Sequence, residues 1–275
     1  MNRRAAVAGG FYPKDAALLA REIERCFEIG YGRPERSEEY KGPLGVVSPH
    51  AGYTYSGVVQ SFSYGYAKRR KVPETVIIVG PNHTGYGSGV SIWPDGEWET
   101  PLGNLKIDSQ LAEVLLERFP EFTPEAHRYE HSIEAQLPFV RYVFGEVKIV
   151  PICVLDQSLD TMRSLGELLR KAIQEKNVLL VASSDFTHYE PEDAVNRKDM
   201  ELIRKILELD AEGAYATAEE KGINACGLGP ILAVMYALKD VPLLKAKLLK
   251  HATSADATGD RSSVVGYASI AFDVE

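Results

Sequence analysis

Two histidines follow buried-looking strands in closely similar settings. His50 lies in GVVSPHAGYTYSG and His83 lies in TVIIVGPNHTGYG, each after an apolar, β-branched run. The carboxyl ends of parallel strands are where α/β sheets build their sites. Two neutral imidazoles brought together there can each donate a lone pair to a divalent metal. A histidine in a glycine-rich turn can instead hydrogen-bond the main chain, but the repeated design favours a metal-binding cleft.

A third apolar run, NVLLVASSDFTHYEP, ends in Asp185 and His188. A carboxylate close to an imidazole can fix its tautomer and raise its basicity, so the pair predicts an acid–base function. The same segment can also cap a helix, because Ser183, Ser184 and Asp185 are all good N-cap residues. We prefer the acid–base interpretation.

Cys226 stands in INACGLGP, where two glycines would expose its sulfur at the start of a helix. A helix N-terminus lowers the pKa of a nearby thiol, which would make this cysteine a candidate ligand. A free cysteine is more commonly a small buried hydrophobe, and the residues alone leave that alternative open.

Two further segments carry polar residues beside these candidates. EHSIE contains Glu130, His131 and Glu134, and we expect His131 to face the cleft and the glutamates to cap a helix. Asn82, next to His83, is either an oxyanion-type donor or the side chain of an Asx turn, and the turn is favoured.

The elements that must position these residues alternate between strands and helices. Strands are predicted at 44–48, 75–80, 147–155 and 177–183, and helices at 14–29, 56–68, 108–119, 132–144, 159–175, 194–208 and 228–238. Asp160 is placed to cap the helix at 159–175. The segments 245–253 and 262–274 alternate like paired strands, and 85–103 predicts a long loop or hairpin on the sheet rim. We therefore expect an α/β fold, a single domain over residues 1–275 with a central mixed sheet flanked by helices.

Composition narrows the class of protein. The 275 residues are 45% hydrophobic and 25% charged, with a net charge of −8 and no basic stripe, so nucleic acid is not an expected partner. Three scattered cysteines do not form a disulfide framework, and the first residues lack the apolar run of a signal peptide or membrane span. A cytoplasmic protein without a membrane partner is the expectation, whereas the oligomeric state is left open.

The motifs together resemble those of the Memo family, named for a mediator of receptor-driven cell motility. The match runs from VAGGFYP through PHAGYTYSG, GPNHTG, ETPLGNLKID, EHSIEAQLPF, SSDFTHY and NACGLGPI to SSVVGYAS. The family's fold is similar to that of the class III extradiol dioxygenases, in which two histidines and a glutamate hold Fe(II) and another histidine moves protons. With a cysteine in place of the carboxylate, the resemblance implies His50, His83 and Cys226 as metal ligands. It also implies His188 as the acid–base group, with Asp185 beside it.

The function that this resemblance implies depends on the cysteine. A soft thiolate favours copper, zinc or a differently tuned iron, so dioxygenase activity does not follow from the fold. The resemblance implies one iron or copper ion with a redox role, and zinc-assisted hydrolysis ranks last. The other class of function is a module that binds a peptide or small anion in the same cleft without chemistry, with Trp93, Trp98, Tyr53 and Tyr55 framing the cleft. The sequence leaves open the substrate, the native metal and whether the protein is an enzyme.

Overall fold

The structure is a computed structural model, which describes residues 1–33, 44–69 and 72–274. The strands are β1 Asn2–Arg3, β2 Leu44–Ser48, β3 Thr75–Pro81, β4 Val90–Ile92, β5 Glu97–Trp98, β6 Leu105–Lys106, β7 Lys148–Val154, β8 Val178–Ser183, β9 His188–Glu190, β10 Leu244–Thr253 and β11 Val264–Val274. The helices are α1 Ala16–Ile29, α2 Tyr53–Lys68, α3 Ser109–Leu116, α4 Pro124–Arg128, α5 Leu137–Phe144, α6 Leu159–Glu175, α7 Glu192–Leu207, α8 Ala211–Lys221, α9 Leu228–Leu238 and α10 Ala255–Thr258, with a 3₁₀ turn at Glu134–Gln136.

A mixed sheet forms the centre of the fold, as the sequence predicts. Its order is β10-β11-β2-β8-β3-β7-β4, and β9 pairs with β11. The four middle strands, β2, β8, β3 and β7, are parallel to one another, whereas β11, β10 and β4 run antiparallel to their neighbours. Strands β2, β3 and β8 are buried along their whole length, which explains why they read as continuous apolar runs rather than as alternating ones.

Two groups of helices cover this sheet. Helices α1, α2 and α5 pack on one another, and α2 lies on β2, β10 and β11. Helices α6, α8 and α9 form the second group, in which α9 lies on β2, β3 and β8. One large cluster of buried apolar residues runs through the sheet and both groups. The predicted α/β architecture, a central mixed sheet flanked by helices, is confirmed.

The segment 85–103 is more structured than a rim loop. It supplies β4 to the edge of the main sheet and β5 to a small three-stranded sheet with β1 and β6. Trp93 and Trp98 are buried against each other and against His127. The prediction that these tryptophans frame the cleft of His50 and His83 was wrong, because their rings are buried against each other and against His127 and do not line that cleft.

Two local predictions also differ from the structure. Ser158, not Asp160, is the N-cap of α6, and Asp160 lies in the first turn, where a carboxylate still suits the positive end of the helix dipole. Helix α8 was missed because its sequence, AEGAYATAEEK, has no wide apolar stripe. It is defined at its ends instead, by the Asp210 side chain that accepts from the Gly213 amide and by Gly222 at a φ of 60°.

Within the described ranges, no helix is both long and apolar enough to cross a membrane. The extent of the domain, residues 1–275, stays a prediction, since residues 34–43, 70–71 and 275 lie outside the described part of the chain.

Candidate metal centre

Three parallel strands deliver the candidate residues to one edge of the sheet. His50 lies two residues beyond β2, His83 two residues beyond β3 and Asp185 two residues beyond β8. The strands are in register at this edge, with Ser48 opposite Ser183. Strand β8 lies between β2 and β3, so the two histidine strands are not direct neighbours. The predicted gathering at the carboxyl ends nevertheless holds, and the His50 and His83 ring centroids are 5.2 Å apart.

The tautomer of His50 follows from the hydrogen bonds of the Ser183 hydroxyl, which contacts the Nδ1 atom of the ring. Ser183 Oγ donates its hydrogen to the Ser132 carbonyl oxygen at 2.6 Å and accepts one from Gln136 Nε2 at 2.8 Å. Towards His50 Nδ1, 2.9 Å away, this hydroxyl can therefore only accept. The ring hydrogen of His50 is assigned to Nδ1, which leaves the lone pair on Nε2.

A buried carboxylate sets the tautomer of His83 in the same way. Glu130 Oε1 accepts from His83 Nδ1 at 2.9 Å, and Oε2 accepts from the His83 amide at 2.5 Å. Burial acts to raise the pKa of Glu130, but the hydrogen bond from His83 and the charges of His83 and His131 outweigh it and lower that pKa to about 2. An ionised partner on Nδ1 leaves the lone pair of Nε2 free, which is the arrangement that metal-binding histidines use.

His131 joins the two rings and makes a group of three. Its ring stacks on His83 with centroids 4.4 Å apart, and its Nδ1 lies 3.5 Å from Glu130 Oε1. Ligand nitrogens of His50, His83 and His131 all lie within 4.8 Å of one another. An ion held in tetrahedral geometry with metal–nitrogen bonds of about 2.0–2.1 Å needs ligand nitrogens ~3.4 Å apart, so the rings would have to close by up to about 1.4 Å. These three imidazoles could hold a metal ion.

Cys226 lies beside this group and touches it through His50. Its Sγ is 3.2 Å from His50 Nε2, so the thiol and the imidazole lone pair face each other. Gly227, the N-cap of α9, lets this approach happen, because a side chain there would collide with the Ser183 carbonyl oxygen. Burial and the Asp185 carboxylate raise the pKa of the Cys226 thiol well above its ordinary value. The expected lowering by the helix terminus does not prevail, and a bound metal would be needed to deprotonate the thiol.

Asp185 and His188 do not form the expected hydrogen-bonded pair. Asp185 Oδ1 accepts from the His50 amide at 2.8 Å, and Asp185 Oδ2 is 3.9 Å from His50 Nε2. Burial raises the pKa of Asp185 to about 7, although the amides of His50 and Ala51 act against that change. Asn224 orients His188 instead: its Oδ1 accepts from the His188 amide at 2.8 Å, and its carbonyl oxygen lies 3.2 Å from His188 Nδ1. His188 is thus held by a partner that the sequence did not indicate.

The cleft over these groups has a volume of about 620 Å³. Its lining includes His50, His83, His131, Asp185, His188 and Cys226, which brings both pairs of predicted functional residues and the cysteine into one cavity. Its other walls are largely aromatic: Phe11, Tyr55, Tyr189 and Tyr267.

Tyr53 and Asn82 do not line this cavity. The Tyr53 ring is buried and its hydroxyl donates to the Ala135 carbonyl oxygen at 2.8 Å. Asn82 Oδ1 accepts from the Thr84 and Gly85 amides at 2.9 and 3.1 Å, which makes it the Asx-turn residue that the sequence favoured. Of the four aromatic residues expected to frame the cleft, only Tyr55 does so.

Sequence reasoning missed the residues that orient the site. Glu130 and Glu134 were expected to be helix caps, but Glu130 binds the His83 ring and Glu134 forms a buried ion pair with Arg3 at 2.6 Å. Local spacing could not reveal either pairing, because each partner is far away in sequence. A faint signal existed in EHSIE, where an acidic residue directly precedes a histidine.

The electrostatics of the rings suit metal binding. Burial, and after it the nearby imidazoles of His131, His83 and His188, lower the pKa of His50 well below its usual value. Burial lowers the pKa of His131 to about 4, although Glu130 acts against it. These two rings are therefore neutral at pH 7, with lone pairs that protons do not occupy. The donor set, imidazoles with a neighbouring sulfur, matches the preferences of iron, copper and zinc.

Comparisons with known proteins agree with the motifs. The family model described as Memo-like protein matches residues 3–271. A MEMO1 family protein of Methanopyrus kandleri is 44% identical over 280 residues, covering 99% of both chains, and one of Metallosphaera sedula is 44% identical over 282 residues, again covering 99% of both. The crystal structure of an uncharacterized Escherichia coli K12 protein superposes with a TM-score of 0.55 at 15% identity, covering 83% of this chain and 99% of that one, and shows a similar fold. The chain belongs to the Memo family.

Proposed function

We propose that the protein binds one iron or copper ion through His50, His83 and Cys226 and uses it in a redox reaction on a ligand held in the cleft. The observation that carries the proposal is that the His50 and His83 rings are oriented in the same way. Separate partners, Ser183 and Glu130, each occupy an Nδ1 and leave an Nε2 lone pair free. A cation placed between the rings would gain both lone pairs without displacing any protein hydrogen bond at Nδ1.

The third ligand is Cys226 rather than His131. The Cys226 sulfur lies 3.2 Å from His50 Nε2, so a metal bound by that nitrogen could also bind the sulfur. The His131 ring is less firmly directed, because its Nδ1 is 3.5 Å from the carboxylate that it shares with His83. The His131 ring is stacked on His83 and tilted against Phe11, whose ring centroid is 4.8 Å away, so His131 would serve as a wall of the cleft.

Bound iron or copper would supply one-electron chemistry that the side chains cannot perform. The chain's own part is to hold the ligand and to move protons. Hydrogen bonding of His188 Nδ1 to the Asn224 carbonyl oxygen leaves Nε2 of that ring to accept a proton from a ligand in the cleft. Asp185, with its pKa near 7, is the second group suited to proton exchange at neutral pH.

A module that binds a peptide or small anion without a metal is the alternative, and the charges of the cleft disfavour an anionic ligand. No arginine or lysine is found among the described residues that line the cleft. The lowered pKa values of His50 and His131 keep those rings uncharged at pH 7, so they offer an anion no full positive charge. Exposed aromatic rings at the mouth, Tyr55 and Tyr189, favour instead a ligand with an apolar body.

Substitution of Cys226 by serine tests the ligand assignment. We expect the variant to fold normally and to lose most of its iron or copper, because a serine hydroxyl is a poor replacement for a thiolate. Elemental analysis of protein purified without added metal measures the loading, and His131→Ala is the matched comparison. If Cys226→Ser keeps its metal and His131→Ala loses it, the ligands are the three imidazoles instead.

Substitution of Glu130 by glutamine tests whether the carboxylate that orients the His83 ring supports metal binding. Glutamine keeps the size and one acceptor oxygen but removes the charge that fixes the ring, so we expect metal affinity to fall by about 10- to 100-fold. Competition with a chromophoric chelator would measure the affinity. Glu125→Gln, an exposed change on α4, should leave the affinity unaltered. If Glu130→Gln bound the metal as tightly as Glu125→Gln does, Glu130 would not contribute to metal affinity.

A further inference from the structure

A second cavity, of about 570 Å³, lies under the N-terminal segment and shares no lining residue with the metal cleft. Its walls come from residues 1–6, from Trp93 and from helix α4 with the residue that follows it. The volume is in the range of cavities that hold small organic ligands. Nothing in the chemistry of the metal centre uses this cavity.

Positive charge is concentrated around it. Three arginines, Arg3, Arg4 and Arg128, line the cavity, and its described lining residues include no aspartate or glutamate. The positive charge of this wall is opposite in sign to the net charge of the chain, which is −8. A cavity with this lining attracts anions while most of the surface repels them.

Two of these charges have no partner within the protein. Arg3 is neutralised by Glu134, and the α-ammonium group of Met1 is paired with Asp95. Among the described residues, neither Arg4 nor Arg128 forms an ion pair or a side-chain hydrogen bond. The cavity therefore presents two free guanidinium groups, each able to bind two oxygens of one anion in a fork.

The remaining walls are apolar and aromatic. Trp93 and Pro124 contribute to the lining, and the Tyr129 ring is 70% exposed. A large exposed ring beside a cavity gains contact area when a flat ligand covers it. Arginine side chains add to this, since a guanidinium plane also stacks on aromatic rings.

We propose that this cavity binds a small aromatic phosphate monoester of the size of a nucleoside monophosphate. A phosphate monoester carries a charge of about −1.5 to −2 at pH 7, which matches the two unpaired guanidinium groups of Arg4 and Arg128. A carboxylate would neutralise only one of them. The aromatic portion of the ligand would lie against Tyr129 and the apolar part of the wall.

Calorimetric titration with adenosine 5′-monophosphate tests the proposal, with inorganic phosphate and adenosine as partial ligands. The expected result is saturable binding of the monophosphate that is tighter than binding of either partial ligand. Arg4→Gln and Arg128→Gln should each weaken it by about 10- to 100-fold, as expected for loss of a charge-assisted hydrogen bond. Tyr129→Ala should weaken binding of the monophosphate and not of phosphate.

Two matched variants separate this cavity from other positive groups and from the metal cleft. Arg21→Gln removes an exposed arginine of α1 and should leave binding unchanged. His83→Ala should also leave it unchanged, so failure of the metal proposal would not affect this one. The proposal is overturned if the parent protein does not bind the monophosphate, if the Arg4 and Arg128 variants bind it as the parent does, or if His83→Ala abolishes binding.

Discussion

Replacement of Arg3 by methionine is expected to lower the free energy of unfolding by about 3–5 kcal/mol, the usual cost of removing one partner from a buried ion pair. The Arg3 and Glu134 side chains are 2% and 0% exposed, and their charged atoms are 2.6 Å apart. Arg3 also donates to the carbonyl oxygens of His127 and Glu130 at 2.8 and 2.7 Å. The variant would leave a carboxylate and two carbonyl groups buried with fewer donors. Urea unfolding followed by circular dichroism measures the change.

Two further variants show whether the loss comes from the buried charge. Arg25→Met breaks an exposed pair with Glu22 on α1 and should cost less than about 1 kcal/mol. The double variant Arg3→Met/Glu134→Gln should recover part of the stability, because it removes the orphaned charge. If Arg3→Met lowered the free energy of unfolding no more than Arg25→Met does, the Arg3–Glu134 ion pair would not be what holds the N-terminal segment beside Glu130 and His131.

Replacement of His188 by alanine is expected to leave metal loading unchanged and to lower turnover by ~100- to 10,000-fold, the usual effect of losing a general acid–base group. His188 lines the cleft, but its Nδ1 contacts the Asn224 carbonyl oxygen, and His188 is not among the proposed ligands. Burial lowers the pKa of His188, so its ring is a neutral proton acceptor at pH 7. Oxygen consumption, screened with reductants and with catechols, would give the activity, and elemental analysis the loading.

Comparison with the neighbouring variants separates proton transfer from positioning. Tyr189→Phe keeps the ring at the mouth of the cleft and should retain activity, since no step uses the hydroxyl. Asn224→Ala should cause a smaller loss than His188→Ala, because it removes the acceptor of the His188 amide but keeps the main-chain carbonyl oxygen that contacts the ring. A His188→Ala protein that emerged without metal would identify His188 as a ligand and would remove the proton-transfer assignment.

Much of the fold could be predicted because its signals are local. Strands β2, β3 and β8 are short apolar runs that end in polar residues, and helices α1 and α6 have clear amphipathic patterns. Parallel strands must gather their carboxyl ends at one edge, so the gathering of His50, His83 and Asp185 followed from the pattern. Family motifs then added Cys226, whose residue type alone favours packing.

The features of the fold and the site that could not be predicted depend on contacts between segments that are distant in sequence. That β8 separates β2 from β3 is a matter of strand order, which apolar patterns do not specify. The partner of His83 is Glu130, 47 residues away, and the partner of His188 is Asn224, 36 residues away. Such pairs contribute their energy only after the chain has folded, so the local sequence gives no spacing rule for them. Glu130 was predicted to cap a helix because its sequence neighbours offer only that local explanation.

The central claim, that His50 and His83 hold a metal ion, is tested most directly by anomalous diffraction. Crystals of protein purified without added metal, and then exposed to iron or copper, would be measured on both sides of the absorption edge of the metal. We predict one strong anomalous peak within about 2.0–2.4 Å of His50 Nε2, His83 Nε2 and Cys226 Sγ. Absence of a peak between the two rings, with the protein otherwise intact, would contradict the account.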